Sequence, residues 1–340
     1  MGPKPRIVSP QPEANEVQSE ARLRPRTLEE YVGQEKVKDN LRVFITAARQ
    51  RGEALDHVLL SGPPGLGKTT LAHIIADAMD VPLKIASGPV FTTPADLLGV
   101  LSHLKTNQVL FLDEIHRLNH VVEEHLYPAM EERRCELIVD KGPNARHYSL
   151  ALEPFTLVGA TTRAGMLTAP LRSRFGLTIR LNYYSAEELQ RIVMRSAPLL
   201  EIDVAPDAAL EIARRARGTP RVANRLLRRA RDFAQVDGHA SVDVDRARYA
   251  LGRMEVDERG LDEMDRAFLR LIVEKFGGGP VGVGTIASAL SEDVETLEDV
   301  YEPYLIQEGF LARTARGREA MPLAYEHLGL RRGPAGGLFS

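Results

Sequence analysis

Gly62-Pro63-Pro64-Gly65-Leu66-Gly67-Lys68-Thr69 is the stretch that decides the fold. It satisfies G-x-x-x-x-G-K-[ST] at every fixed position. The residue types follow from what they must hold. Glycines let backbone N–H groups close around phosphate oxygens, and a helix opening at Lys68 adds partial positive charge. The Lys68 ammonium suits β- and γ-phosphate oxygens, and the Thr69 hydroxyl suits Mg²⁺. Upstream lies a short apolar run, His57 to Ser61, too short for a helix and read as a buried strand. Downstream, Lys68 to Met79 has helical apolar spacing. Strand, glycine turn and helix are the context this loop requires.

Working outward, Val109 to Leu112 and Phe155 to Ala160 read as two more buried strands. Strands alternating with helices predict an α/β domain with a parallel sheet covered on both faces. The strand at Leu112 ends on Asp113-Glu114. Asp113 is expected beside Mg²⁺, and Glu114 is the candidate base for the attacking water. An arginine supplied by a neighbouring subunit can add about 10³–10⁵ in rate. Leu171-Arg172-Ser173-Arg174-Phe175-Gly176 offers two candidates, and the residues alone do not choose between Arg172 and Arg174.

Other segments mark the organisation. Thr27 with Glu30 has the form of a capping box and predicts a helix through Val43 and Ala48. Residues 136–152 alternate apolar and polar around Lys141-Gly142-Pro143-Asn144, which predicts a projecting β-hairpin. Pro128 inside a helical stretch is expected to kink it. Ser185-Ala186-Glu187-Glu188 predicts a helix start, with helical periodicity to about Met254. From Leu261, helices interrupted by Gly277-Gly278-Gly279-Pro280 and closed by a basic β-like stretch suggest a winged helix. The proline-rich N-terminus and the glycine-rich last ten residues read as flexible tails.

The chain has 340 residues, 44% of them hydrophobic, and a net charge of −3. It is not globally basic, so nucleic-acid contact must come from local patches. Two stretches are arginine-rich: Arg214 to Arg231, which holds no acidic residue, and Arg313 to Arg332. The first reads mainly as long stems covering a helix face. Cys135 is the single cysteine, so neither an intrachain disulfide nor a cysteine-based zinc site is available. His116 beside the acidic pair has no partner ligands at metal spacing. No apolar run reaches the ~18 residues of a membrane span, and the N-terminus has no apolar signal-peptide core. These features point to the cytoplasm.

In this order, the phosphate loop, Asp113-Glu114-Ile115-His116, Gly159-Ala160-Thr161-Thr162-Arg163, Ser173-Arg174-Phe175-Gly176 and Gly218-Thr219-Pro220-Arg221 resemble the AAA+ ATPases. Arg24-Pro25, Tyr31-Val32-Gly33-Gln34-Glu35, the stretch His125 to Glu131 and Gly277 to Gly282 resemble, within that class, the RuvB family of bacterial Holliday-junction motors. The resemblance spans about residues 22–330. It implies a large ATPase domain at 23–184, a small helical lid at 185–256 and a winged-helix DNA-binding domain at 257–330, with the composition reading as a disordered tail at 1–22 and a flexible tail at 331–340.

The resemblance also implies roles. Leu23 and Arg24 would line the adenine and ribose pocket. Gly62, Gly65, Gly67, Lys68, Thr69 and Thr70 would hold the phosphates of ATP or ADP, with Thr69 and Asp113 on Mg²⁺. Thr162 would be the first sensor, Arg174 the arginine finger and Arg221 the second sensor. Tyr184 and the run Glu131, Glu132 and Arg133 would lie near nucleotide. Arg313, Arg316 and Arg318 would grip DNA phosphates without reading bases. Hairpin 136–152 would dock on RuvA. The implied activity is ATP-driven branch migration in recombination and repair, by a homo-hexameric ring on duplex DNA at four-way junctions with RuvA and RuvC. A clamp loader or replication initiator of the AAA+ class is the alternative. A regulator that uses ATP only to oligomerise is a third reading, disfavoured by Glu114 and the finger candidates.

Overall fold

The computed structural model describes residues 8–9, 17–139 and 146–331. They fall into two compact units. Ala21–Tyr183 form one; the chain from Tyr184 onward, with the described residues up to Glu20, forms the other.

In the first unit the elements run α1 (Val17–Leu23, shared with the other unit), α2 (Glu35–Arg51), β1 (Val58–Ser61), α3 (Lys68–Met79), β2 (Leu83–Ser87), α4 (Pro94–Leu101), β3 (Gln108–Asp113), α5 (His120–Glu131), β4 (Arg134–Val139), β5 (Arg146–Ala151), β6 (Phe155–Thr161), α6 (Ala169–Ser173) and β7 (Leu177–Arg180). Five strands make one sheet in the order β2-β3-β6-β1-β7, and every pairing in it is parallel. The three central strands are the buried apolar runs read from the sequence. The outer strands β2 and β7 are half-exposed and carry Lys84 and Arg180. They were missed because an edge strand need not be uniformly apolar.

Register sets the functional edge. Ser61 pairs with Thr161, Leu112 with Gly159, and Ser87 with Asp113. The carboxyl ends of β1, β3 and β6 therefore open on one side, where open α/β sheets bind ligands. Beneath them Leu59, Leu110, Leu112, Ile115, Leu126, Leu157, Leu171 and Phe175 pack in one core.

Two expectations need correction here. Thr27 and Glu30 make one bond of a capping box, the Glu30 N–H donating to Thr27 Oγ1 at 3.3 Å, while Glu30 Oε2 accepts from the N–H of the preceding Arg26 at 2.9 Å. They close only one turn, because Gly33 and Gln34 adopt left-handed backbone, and α2 begins at Glu35. The second correction concerns the N-terminal tail. Val17–Leu23 is helical, Leu23 and Val8 are buried, and the Ser9 carbonyl accepts from the Arg225 guanidinium at 2.7 Å. The strands β4 and β5 form the expected antiparallel hairpin, while its turn, 140–145, lies outside the described residues. α5 continues through Pro128.

The second unit holds two modules. α7 (Ala186–Leu199), β8 (Asp203–Val204), α8 (Pro206–Arg214), α9 (Pro220–Val236), β9 (Ser241–Val242) and α10 (Val244–Arg253) make the helical module. Ser185 and Glu188 form the anticipated capping box at the start of α7. α11 (Glu263–Arg270), α12 (Val283–Leu290), α13 (Val294–Thr296), α14 (Glu302–Gln307), β10 (Leu311–Thr314), β11 (Gly317–Ala320) and α15 (Pro322–Leu328) make the winged helix around Phe268, Tyr301, Leu305 and Phe310. The arginine-rich run is not merely a coat on a helix face: Arg215, Arg217 and Arg225 are buried. Arg217 joins the two modules, donating to the Gly260 carbonyl at 2.7 Å, pairing with buried Asp265 and lying over the Tyr304 ring at 4.9 Å. Desolvation makes an unpaired arginine there costly, so each one is matched to a carbonyl or carboxylate.

Candidate nucleotide and DNA sites

The phosphate loop leaves β1 at Ser61 and enters α3 at Lys68, as its spacing required. Gly62, Gly65 and Gly67 have φ of 143°, 81° and 98°. A Cβ on Gly67 would stand 2.9 Å from the Tyr31 hydroxyl, and one on Gly62 would stand 2.7 Å from the Leu181 carbonyl oxygen. Only glycine fits this turn. Tyr31 also donates to the Leu66 carbonyl at 3.2 Å, so the Tyr31-Val32-Gly33 segment props the loop. The buried Lys68 ammonium donates to the Gly62 and Pro63 carbonyls, at 2.7 and 2.9 Å. An ammonium held inside a ring of backbone is suited to phosphate oxygens, and the loop fits nucleotide.

Leu23 is buried, and the Arg24 guanidinium donates to His73 Nε2 at 2.9 Å on the helix that follows the loop. Burial, and then the Arg24 charge, lower the His73 pKa and keep its acceptor nitrogen free of a proton. His57, under the sheet, is also shifted down, chiefly by burial; its Nδ1 accepts from the Leu157 N–H at 2.9 Å. Burial pushes the Cys135 thiol up to about 11, so it stays protonated and inert.

At the end of β3 the Asp113 carboxylate accepts from the Glu114 N–H at 3.0 Å. Glu114 has φ 50° and ψ 44°, an uncommon conformation for a residue with a side chain. Gly88 makes room for it: a Cβ on Gly88 would stand 2.5 Å from the Glu114 carbonyl oxygen. The Glu114 side chain is one-third exposed, and its Oε2 lies 3.3 Å from Nδ1 of His116. That nitrogen is 3.0 Å from Thr161 Oγ1 at the end of β6, directly before Thr162. From sequence, His116 raises only the question of a metal ligand. Its contact with Thr161, 45 residues away, follows from the pairing of β3 with β6.

Arg174 is set apart from Arg172 by its surroundings. Its guanidinium donates to the Pro170 carbonyl at 2.6 Å, pairs with Glu131 at 3.2 Å and lies 4.2 Å over the Tyr127 ring. Tyr127 is itself held by Glu123, and burial with that carboxylate raises its pKa. Arg172 is exposed and donates to the Ala164 carbonyl. Phe175 packs on Gly159, where a Cβ would meet its ring at 2.9 Å. The arginine box therefore rests directly on β6. Glu131 thus stands with Arg174, while Glu132 pairs with Arg134 and Arg133 is exposed with φ 54°.

On the second unit, Arg221 at the start of α9 pairs with Glu20 at 2.8 Å. Tyr184 is buried, and its N–H donates to the Gly218 carbonyl at 2.9 Å. Glu20 lies 201 residues from Arg221 along the chain, so no local spacing marks it as the partner.

The wing requires another correction. Arg318 was expected on DNA, but it is buried, 6% exposed. Its guanidinium donates to Glu302 at 2.6 and 3.0 Å and to Glu298 at 2.8 Å. In this arrangement its guanidinium is committed to two carboxylates under the surface rather than presented to solvent. Arg313, its cross-strand neighbour, also reaches Glu298 at 3.0 Å yet remains 57% exposed. Arg316, at the turn between β10 and β11, is exposed.

Residues 23–181 match the model of the Holliday junction DNA helicase RuvB P-loop domain, 184–257 that of the RuvB AAA lid domain and 258–329 that of the RuvB C-terminal winged helix domain. A protein of Chlorobaculum parvum named Holliday junction branch migration complex subunit RuvB is 59% identical over 315 residues, 93% of this chain and 92% of its own length. One of the same name from Flavobacterium psychrophilum is 55% identical over 95% of this chain and 96% of its own. A solved structure of the Thermotoga maritima RuvB Holliday junction branch migration motor superposes with a TM-score of 0.84 at 47% identity, covering 92% of this chain and 100% of that one.

Proposed function

Because the chain belongs to the RuvB family, and so is an ATP-hydrolysing DNA motor of the P-loop AAA+ class, we propose that it drives branch migration of four-way DNA junctions in recombination and repair. The observation that carries this reading is the alignment of three strand ends. The phosphate loop, Asp113-Glu114 and Thr161-Thr162 stand at one edge of the sheet. Bound there, ATP would lie with Lys68, Thr69 and Thr70 at its phosphates, Leu23 and Arg24 toward its base and ribose, and Thr162 as the first sensor. Glu114 accepts the proton of the attacking water. Tyr184 and Arg221 are the proposed nucleotide-sensing residues of the other unit.

Mg²⁺ fits the donor set. Among the described residues no group of three or more His, Cys, Asp and Glu could hold a metal by itself. Mg²⁺ keeps waters and binds through a carboxylate plus substrate phosphates, so Thr69 and Asp113 suffice as its protein partners. It neutralises charge on the phosphates when bound.

Arg174 acts on the nucleotide of a neighbouring subunit, and the stretch Glu131, Glu132 and Arg133 lies near nucleotide. A finger given to a neighbour makes the interface head-to-tail, which closes as a ring, here a homo-hexamer. Duplex DNA passes through it, gripped by Arg313 and Arg316 of the wing. RuvA docks on hairpin 136–152 and RuvC completes the assembly. The ATPase domain covers 23–184, the lid 185–256 and the DNA-binding domain 257–330. Among the described residues no helix is long and apolar enough to cross a membrane. Work on DNA with ATP supports a cytoplasmic protein.

Mixed assemblies test this proposal. Arg174→Ala chains are titrated into wild type, and dissociation of a synthetic four-way junction is followed with ATP, Mg²⁺ and RuvA. A shared site predicts that activity falls more steeply than the wild-type fraction. Strict proportionality would mean that each subunit hydrolyses alone, with Arg174 no finger.

A further inference from the structure

We propose that His116 is a positioning residue for ATP hydrolysis: its imidazole ties the Glu114 carboxylate to the end of β6, so water activation depends on where that strand terminus stands. The proposal rests on the reading of Glu114 as general base.

The geometry lies within one unit. His116 Nδ1 is 3.3 Å from Glu114 Oε2 and 3.0 Å from Thr161 Oγ1. The ring is buried, with 6% of its side chain exposed against 33% for Glu114. A partly exposed glutamate has several rotamers, and holding one costs entropy unless a fixed group receives it. His116 is that group. With Glu114 ionised, only an N–H at Nδ1 is attractive, since a lone pair there would face the carboxylate. The proton therefore sits on Nδ1, directed between Glu114 and Thr161.

Thr161 is equally fixed. Its hydroxyl oxygen accepts the Arg163 N–H at 3.0 Å, and the residue is fully buried. The path Glu114, His116, Thr161, Arg163 thus joins the end of β3 to the turn that carries Thr162. A shift of that turn would move the carboxylate with it. Misplacing a reacting group by about 1 Å can cost about 100-fold in rate.

The alternative is that His116 only fills space beneath Glu114. Substitutions separate the two. His116→Leu keeps bulk and removes the donor. His116→Asn keeps an N–H donor near the Nδ1 position. Thr161→Val removes the hydroxyl with little change in shape. ATP hydrolysis at saturating duplex DNA is measured for kcat and KM, alongside affinity for a fluorescent ADP analogue.

His116→Leu is expected to lower kcat by about 10- to 100-fold with KM and affinity changed less than about twofold. His116→Asn is expected to recover most of that loss, and Thr161→Val to lower kcat without moving KM. Normal kcat in His116→Leu, equal loss in His116→Leu and His116→Asn, or a change in affinity matching that in kcat would each overturn the proposal. Should His116→Leu not fold, an unchanged kcat in Thr161→Val overturns it on its own. Glu114→Gln is run in parallel. If it is inactive while His116→Leu is normal, only the positioning role fails. If Glu114→Gln itself turns over normally, the general-base reading fails first.

Discussion

Glu114→Gln should bind ATP with near wild-type affinity and hydrolyse it about 10²–10⁴ times more slowly. The asymmetry follows from where the residue stands. In the proposed site the phosphates are held by the loop from Gly62 to Thr70, and Glu114 is assigned to the attacking water instead. Glutamine has the size of glutamate and can still receive the His116 N–H through its amide oxygen. It cannot take a proton from water. The backbone cost of the left-handed turn at φ 50° is the same in both, so no refolding of the β3 terminus is expected. Binding of a fluorescent nucleotide and single-turnover hydrolysis of ATP separate the two effects. A parallel loss of affinity and rate would mean that Glu114 holds nucleotide rather than activating water.

The second large effect is on stability. Arg318→Ala should destabilise the winged helix by about 3–5 kcal/mol, because it strands carboxylates without a counter-charge. Glu302 is almost wholly buried, 1% exposed, and the Arg318 guanidinium donates to both of its oxygens. Glu298 would keep only Arg313, whose guanidinium is more exposed. Arg316→Ala makes the opposite pattern. Its side chain is exposed at the wing turn, so stability should stay within about 0.5 kcal/mol. Its loss should weaken DNA binding alike for all sequences and reduce the salt slope by about 1. Hydrogen exchange of the β10 and β11 amides reads the first effect, and DNA titration at several salt concentrations reads the second. An Arg318→Ala chain with wild-type exchange and weakened DNA binding would return Arg318 to the DNA surface.

Arg318 also shows where reading a sequence stops. Along the wing, Arg313, Arg316 and Arg318 are chemically alike, and nothing local marks one as structural. The difference comes from Glu298 and Glu302, which approach from a preceding helix. Arg217 and Arg225 were opaque for the same reason, since their partners are Asp265 and the Ser9 carbonyl. The phosphate loop was legible because its chemistry is contiguous: strand end, glycines, lysine and helix start lie within eight residues that must act together. β1, β3 and β6 were legible because central parallel strands are buried on both faces. β2 and β7 needed the sheet to reveal them. The His116–Thr161 contact joins the ends of two strands, and its distance follows from pairing rather than from spacing along the chain.

The central claim is that hydrolysis at the Glu114 site moves DNA strands. The most direct measurement follows fluorescently labelled arms of a synthetic four-way junction, with this chain, RuvA and Mg²⁺ present, in ATP or in a non-hydrolysable ATP analogue that supports binding. The account predicts separation into two duplexes in ATP and a bound but intact junction in the analogue. Equal separation in both would contradict it, leaving nucleotide as a switch for assembly and DNA binding as the source of the movement.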